Sequence, residues 1–141
     1  MTEPIAGTVF LDTSYAIALV NRDDALHERA IALADRLHPS RTQFLTTRAV
    51  LLEIGDGLSR PLYRQVAAAL LASMQDDPSL EIVEITIPLY DEALTLYSQR
   101  RDKGWGLTDC LSFVIMSARS VTAALTHDIH FEQAGFLPLL R

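Results

Sequence analysis

Apolar residues along this chain fall into two alternating rhythms, one of period two and one of period near 3.6. Thr8-Val9-Phe10-Leu11 is a short β-favouring run that stops at Asp12-Thr13-Ser14, the pattern of a buried strand followed by a helix N-cap. A first helix is expected over Tyr15 to Val20, with Asn21 to Asp24 breaking it. Leu26, Ala30, Leu33, Ala34 and Leu37 then fall on one stripe, which predicts a helix from Ala25 to Leu37, ended by Pro39 and Ser40. Phe44-Leu45-Thr46 reads as a second strand. Thr47 caps a helix over Arg48 to Leu58, whose buried side carries Val50, Leu51, Ile54 and Leu58, although Gly55 and Gly57 weaken its second half. Pro61 opens a helix through Ala72, and Asp76-Asp77-Pro78 is a turn. Val83, Ile85 and Ile87 alternate with Glu84 and Thr86, predicting a third strand over Leu80 to Ile87.

Pro88 introduces a helix over Leu89 to Arg101, and Gly104-Trp105-Gly106 is a loop. Thr108 to Ser120 is an apolar helix with little polar surface, hence a central one. Ala123 to Thr126 is a fourth strand, and Phe136 to Leu140 an edge strand. Strands alternate with helices, so the fold class is α/β, a parallel sheet flanked by helices. The 141 residues suit one domain and contain no repeat or flexible linker.

Composition narrows the class. The apolar fraction of 49% is enough for a core without disulfides or structural metal. The single cysteine, Cys110, excludes an internal disulfide and a multi-thiolate zinc cluster. The stretch Met1 to Gly7 has no basic side chain and does not read as a secretory signal. The longest apolar run, Val66 to Ala72, falls far short of the ~18 residues a membrane span needs. A soluble, cytoplasmic protein is expected. The net charge of −6 speaks against gripping nucleic acid with the whole surface. Either nucleic acid is not the substrate, or the acids are concentrated in a cation-recruiting site with local Arg and Lys around it; the blander reading is that acidity simply aids solubility.

Four acids stand where acids are uncommon. Asp12 directly follows the first strand and Asp128 closely follows the fourth, at the carboxyl edge where open parallel sheets bind ligands. Glu53 lies within the helix after the second strand, and Asp109 in the first turn of the apolar helix. Taken singly, Asp12 reads equally as a cap, Asp109 as a partner of the helix dipole, Glu53 as a surface residue and Asp128 as a turn residue. Gathered near a core, they repel one another unless a divalent cation neutralises them. Oxygen ligands suit Mg²⁺ or Mn²⁺, ions that assist phosphodiester hydrolysis.

The motifs carrying these acids resemble those of PIN-domain proteins. Val9-Phe10-Leu11-Asp12-Thr13-Ser14 looks like the family's first motif, Glu53 its second, Leu107-Thr108-Asp109 its third, and Leu125-Thr126-His127-Asp128 through Phe131 its last. The short chain resembles the VapC-type toxins of prokaryotic toxin–antitoxin pairs. The resemblance spans nearly the whole chain and implies a single PIN-like domain over residues 1–141, a three-layer α/β/α sandwich with a short parallel sheet. It implies that Asp12, Glu53, Asp109 and Asp128 form a catalytic pocket for Mg²⁺ or Mn²⁺. It further implies an RNA substrate, a homodimer and a cognate antitoxin. Thr13, Ser14 and Thr126 match small hydroxyl positions beside the family's acids, able to orient carboxylates or water and equally able to serve as caps. Ser112, one turn beyond Asp109, is a candidate for the same pocket.

Other residues weigh less. His127 and His130 bracket Asp128 and suggest a metal site, but with only two imidazoles and no thiolate near they read mainly as turn or surface residues, with a phosphate contact from His127 a further alternative. No Gly-x-Ser-x-Gly elbow and no Gly-rich phosphate loop is present. Cys110 reads as packing rather than as a nucleophile. Arg48, Arg60, Arg64, Arg100, Arg101 and Lys103 are candidates for phosphate contacts, or else solvated helix faces. Trp105 can stack on a base or close the core. Tyr15, Ala16 and Leu19 can line a groove for an antitoxin helix or belong to the core. The leading expectation is a metal-dependent endoribonuclease. Its rivals are a non-catalytic RNA-binding or interaction module of the same fold and a DNA-directed nuclease.

Overall fold

The computed structural model describes residues 5–141, the side chains of residues 38–40 excepted. Its order of elements is β1 (Ile5–Leu11), α1 (Thr13–Val20), α2 (His27–Ala34), β2 (Leu37–Thr47), α3 (Arg48–Gly57), α4 (Pro61–Asp76), β3 (Leu80–Val83), α5 (Ile87–Gln99), α6 (Leu107–Ala118), β4 (Ala123–Leu125), α7 (Ile129–Gln133) and β5 (Leu137–Pro138). The strands form one five-stranded sheet in the order β3-β2-β1-β4-β5, every pairing parallel. This is the expected α/β class.

Alternation along the strands divides the core in two. Val9 of β1 and Leu125 of β4 pack with Tyr15 and Ala18 of α1 and with Ala30 and Leu33 of α2. Their sequence neighbours Phe10 and Ala124 face the opposite way, onto residues of α3, α4, α5 and α6. Helices therefore cover both faces, which a parallel sheet requires.

Several boundaries differ from the expected ones. The helix assigned to Ala25–Leu37 is shorter, because Asp24 Oδ1 accepts the Leu26 amide in a turn and Leu37 already pairs with Ile5 in the sheet. β1 and β2 are correspondingly longer. The third strand stops at Val83: Thr86 is the N-cap of α5, accepting the Leu89 amide at 3.2 Å, and Ile85 and Ile87 are exposed. The helix opened by Pro61 continues past Ala72 to Asp76. The short α7 has no counterpart in the sequence reading. It starts on Asp128, whose Oδ1 accepts the His130 amide at 2.9 Å, and ends before Gly135 at φ +95°.

The topology sets the site. From central β1 the chain winds through β2 to β3 on one side, then returns to place β4 and β5 on the other. The strand order reverses between β1 and β4, and the crevice at their carboxyl ends is the place such sheets keep for a ligand.

Candidate active site

Asp12 is held from both flanks of the sheet. Its amide donates to the Leu125 carbonyl at 3.2 Å, and Thr46 Oγ1 on β2 donates to the Leu11 carbonyl at 2.7 Å. Asp12 occupies the N-cap position of α1, yet its side chain makes no capping hydrogen bond. Oδ2 instead accepts from Thr126 Oγ1 at 2.7 Å and from Ser14 Oγ at 3.5 Å. Thr126 is fully buried, and its oxygen also accepts the Asp128 amide at 3.0 Å. With its one proton on Asp12, Thr126 takes its 3.2 Å contact with Ser14 as acceptor. Ser14 Oγ accepts the His127 amide at 3.1 Å. Two hydroxyls thus lock the β1–α1 junction to the β4–α7 junction.

Glu53 arrives from α3. Its Oε1 accepts from Thr13 Oγ1 at 2.8 Å, across the contact between α1 and α3. Gly57 permits that contact: a Cβ there would lie 2.5 Å from Ile17 Cδ1. Asp109 lies in the first turn of α6, where its Oδ2 accepts the Gly106 amide at 3.1 Å and closes the cap of its own helix. The same oxygen is 3.0 Å from His130 Nδ1, which is also 3.4 Å from Asp128 Oδ1. Among the described residues, no hydrogen bond reaches Glu53 Oε2, Asp109 Oδ1 or Asp128 Oδ2. Each of these acids therefore has one oxygen anchored and one open.

All four acids, with Thr13, Ser14, Ile17, Asp56 and Gly57, line one cleft of about 460 Å³. Their charges are mutually unfavourable. Burial pushes the Asp12 carboxyl up to about 6, despite the Thr126 hydroxyl and the Thr13 amide, and the charges of Asp109 and Glu53 add to the rise. Glu53 is raised by burial and by Asp109, Asp128 and Asp56, against the Thr13 hydrogen bond. Asp109 is raised by burial and by Asp128, against hydrogen bonds from His130 and Gly106. Among the described residues, no Arg or Lys lines the cleft. A hollow with only carboxylates for charged walls, several of their oxygens open, fits a hard divalent cation and disfavours an anionic small molecule. Asp109, Asp128 and His130 also place one ligand atom each within 4.8 Å of one another.

Ser112 does not join the cleft: it is buried, and its hydroxyl donates to the Thr108 carbonyl at 3.1 Å. Trp105 closes the core rather than offering a base platform. Its ring is buried edge-on to Phe113 at 5.0 Å, its Nε1 donates to Gln133 at 3.0 Å, and Arg100 lies over it at 4.7 Å. Tyr15 and Ala16 are buried, and Leu19 packs against the α1–α2 core, so none of them lines an open groove. His127 turns its Nδ1 toward the Leu140 carbonyl at 3.3 Å. Cys110 is buried packing. Arg48 pairs with Glu84, and Arg100 and Lys103 with Asp102. Arg60, Arg64 and Arg101 are exposed and, among the described residues, form no ion pair.

Asp56 went unassigned in the sequence reading, and His130 was read there mainly as a turn or surface residue. The signal for His130 was its place two residues after Asp128, at the start of a capped turn. Asp56 lies one turn beyond Glu53 on the same helix.

Comparison with known proteins agrees with the fold. Residues 9–137 match the family described as PIN domain. The 23S rRNA-specific endonuclease VapC20 of Mycobacterium tuberculosis is 28% identical over 130 residues, which are 92% of this chain and 95% of that protein. The crystal structure of that VapC20, described as a Sarcin-Ricin loop cleaving toxin, superposes with a TM-score of 0.82 at 26% identity, covering 92% of this chain and 96% of that one. VapBC2 from Rickettsia felis, solved bound to a DNA fragment from its promoter, shares the fold at a TM-score of 0.61 and 18% identity, covering 94% and 96%.

Proposed function

The chain belongs to the PIN-domain family, and we propose that it is a VapC-type endoribonuclease toxin that hydrolyses RNA phosphodiesters with Mg²⁺ or Mn²⁺ held by Asp12, Glu53, Asp109 and Asp128. The observation carrying this reading is the convergence of four carboxylates from four separate elements on one cleft at the carboxyl edge of the sheet.

In this proposal Asp12 is the central ligand. It is the most buried of the four, and the Thr126 and Ser14 hydroxyls fix its orientation. Asp109 and Asp128 supply open oxygens from the neighbouring helix starts. Glu53, the more exposed acid, faces the cleft from α3, where it can align a water or complete the ligand set. A divalent ion bound there supplies Lewis acidity toward the phosphoryl oxygen and makes water a better nucleophile near neutral pH. Thr13 and Ser14 hold the ligands and leave the chemistry to the acids.

The similarity to an rRNA-cutting toxin makes structured RNA the first substrate class to test. A cognate antitoxin is the proposed protein partner, in line with the toxin–antitoxin complex among the fold neighbours. A homodimer is supported by the row Ile87, Tyr90, Leu94 and Tyr97 on α5, an exposed apolar stripe. Among the described residues no helix is long and apolar enough to cross a membrane. The cytoplasm, where RNA and antitoxin would meet the enzyme, is the proposed compartment.

The test is cleavage of a total RNA pool by purified protein in EDTA and in Mn²⁺, beside Asp12→Asn and Asp109→Asn. Cleavage is expected in Mn²⁺ alone, and is lost in both variants with unchanged circular dichroism. Full cleavage by both variants, or metal-independent RNA binding without cleavage, overturns the reading. Preference for DNA over RNA would move the enzyme to another substrate class.

A further inference from the structure

Among the described residues, His130 sets one ring nitrogen between the carboxylates of two of the acids. Its Nδ1 lies 3.0 Å from Asp109 Oδ2 on α6 and 3.4 Å from Asp128 Oδ1 at the head of α7. Both neighbours are carboxylate oxygens, so the hydrogen-bond network assigns the proton to Nδ1. Asp128 Oδ1 is gripped twice by this residue, through the ring and through the His130 amide at 2.9 Å. The grip has a firm base. Phe131, the next residue, is fully buried, with its ring 5.0 Å from Phe113 of α6 and 6.0 Å from Phe10 of β1. The imidazole itself is about 29% exposed, at the rim rather than in the core.

We infer that His130 is a positioning residue of the metal site: its Nδ1–H draws the Asp109 and Asp128 carboxylates together and turns their open oxygens, Oδ1 and Oδ2 respectively, toward the cation. The inference rests on the reading of the cleft as a metal site. Two carboxylates on separate helices repel each other and drift apart without a donor between them. The imidazole Nδ1–H set between them is such a donor. Removal of such an outer partner of a ligand weakens metal binding or activity by roughly 10- to 100-fold.

Three variants separate a bridging donor from a metal ligand and from simple packing. His130→Asn sets an amide N–H₂ close to the place of Nδ1. His130→Gln sets it near Nε2, out of reach of one of the two carboxylates. His130→Ala removes it. Calorimetric titration with Mn²⁺ reads the effect without activity, and RNA cleavage kinetics reads it again. Thermal melts in EDTA confirm that each variant is folded. His130→Asn is expected to bind Mn²⁺ within a few-fold of wild type. His130→Gln and His130→Ala are expected to bind roughly 10- to 100-fold more weakly, with kcat lowered at subsaturating Mn²⁺, KM for RNA little changed, and kcat restored by excess Mn²⁺. A folded His130→Ala that binds Mn²⁺ like wild type overturns the inference. So does a His130→Asn as weak as His130→Ala, which would make the ring a ligand. If the wild type fails to cut RNA but His130→Gln still weakens Mn²⁺ binding, the nuclease reading falls and the positioning role stands.

Discussion

Replacing Asp12 by Asn should make the metal-free protein more stable and inactive at the same time. Burial lifts the Asp12 carboxyl from 3.8 to about 6. Two pH units of displacement correspond to about 3 kcal/mol between the protonated and charged forms. The direction follows from proton counts. Below pH ~4 the group is protonated in both the folded and the unfolded chain, and the term is absent. Between about 4 and 6 the unfolded chain releases its proton first, so stability falls as pH rises. Above pH ~6 the whole penalty is in force. Asn keeps an oxygen for the Thr126 and Ser14 hydroxyls and carries no charge. In EDTA, Asp12→Asn is expected to exceed wild type by about 1–3 kcal/mol at pH 8, or roughly 3–10 °C in Tm, and by little at pH 4. Urea unfolding at both pH values measures this. Mn²⁺ should then stabilise wild type far more than the variant. A variant no more stable than wild type at pH 8, or a gain of equal size at both pH values, refutes the reasoning.

Mn²⁺ affinity itself should fall as pH drops below about 6, because protons compete for the raised carboxyls of Asp12, Glu53 and Asp109; titrations at pH 5 and pH 7.5 compare it. Thr126→Val removes the donor to Asp12 and the acceptor of the Asp128 amide, and should cost about 1–3 kcal/mol of stability, read by urea unfolding, with weaker Mn²⁺ binding. Leu94→Glu with Tyr97→Glu should shift a dimer toward monomer in sedimentation analysis, while each folded monomer keeps its Mn²⁺ site.

The sequence carried the fold class and the neighbourhood of each acid because both depend on local pattern. β1 is a short apolar run with a polar stop, and the first residue after it is Asp12. Two particulars misled. Ile85 and Ile87 continue the alternation of β3, but they lie on the surface around the α5 cap, where period-two spacing carries no burial. At five residues, α7 is too short for helical periodicity to register, so the capping role of Asp128 and the aim of His130 stayed hidden. The bridge from His130 to Asp109 spans 21 positions and arises only when α6 and α7 pack through Phe113 and Phe131. Ser112 failed for the opposite reason. Helical proximity to Asp109 suggested the cleft, but the inward face of α6 is core, and a buried hydroxyl there bonds its own helix.

A crystal of the wild-type protein grown with Mn²⁺ tests the central claim most directly, through the anomalous scattering of the ion. Density is expected in the cleft, in contact with carboxylate oxygens of Asp12 and at least one of Asp109 and Asp128, and absent in Asp12→Asn crystals treated alike. A saturated crystal with no anomalous density among these acids, from protein that still cuts RNA, would contradict it.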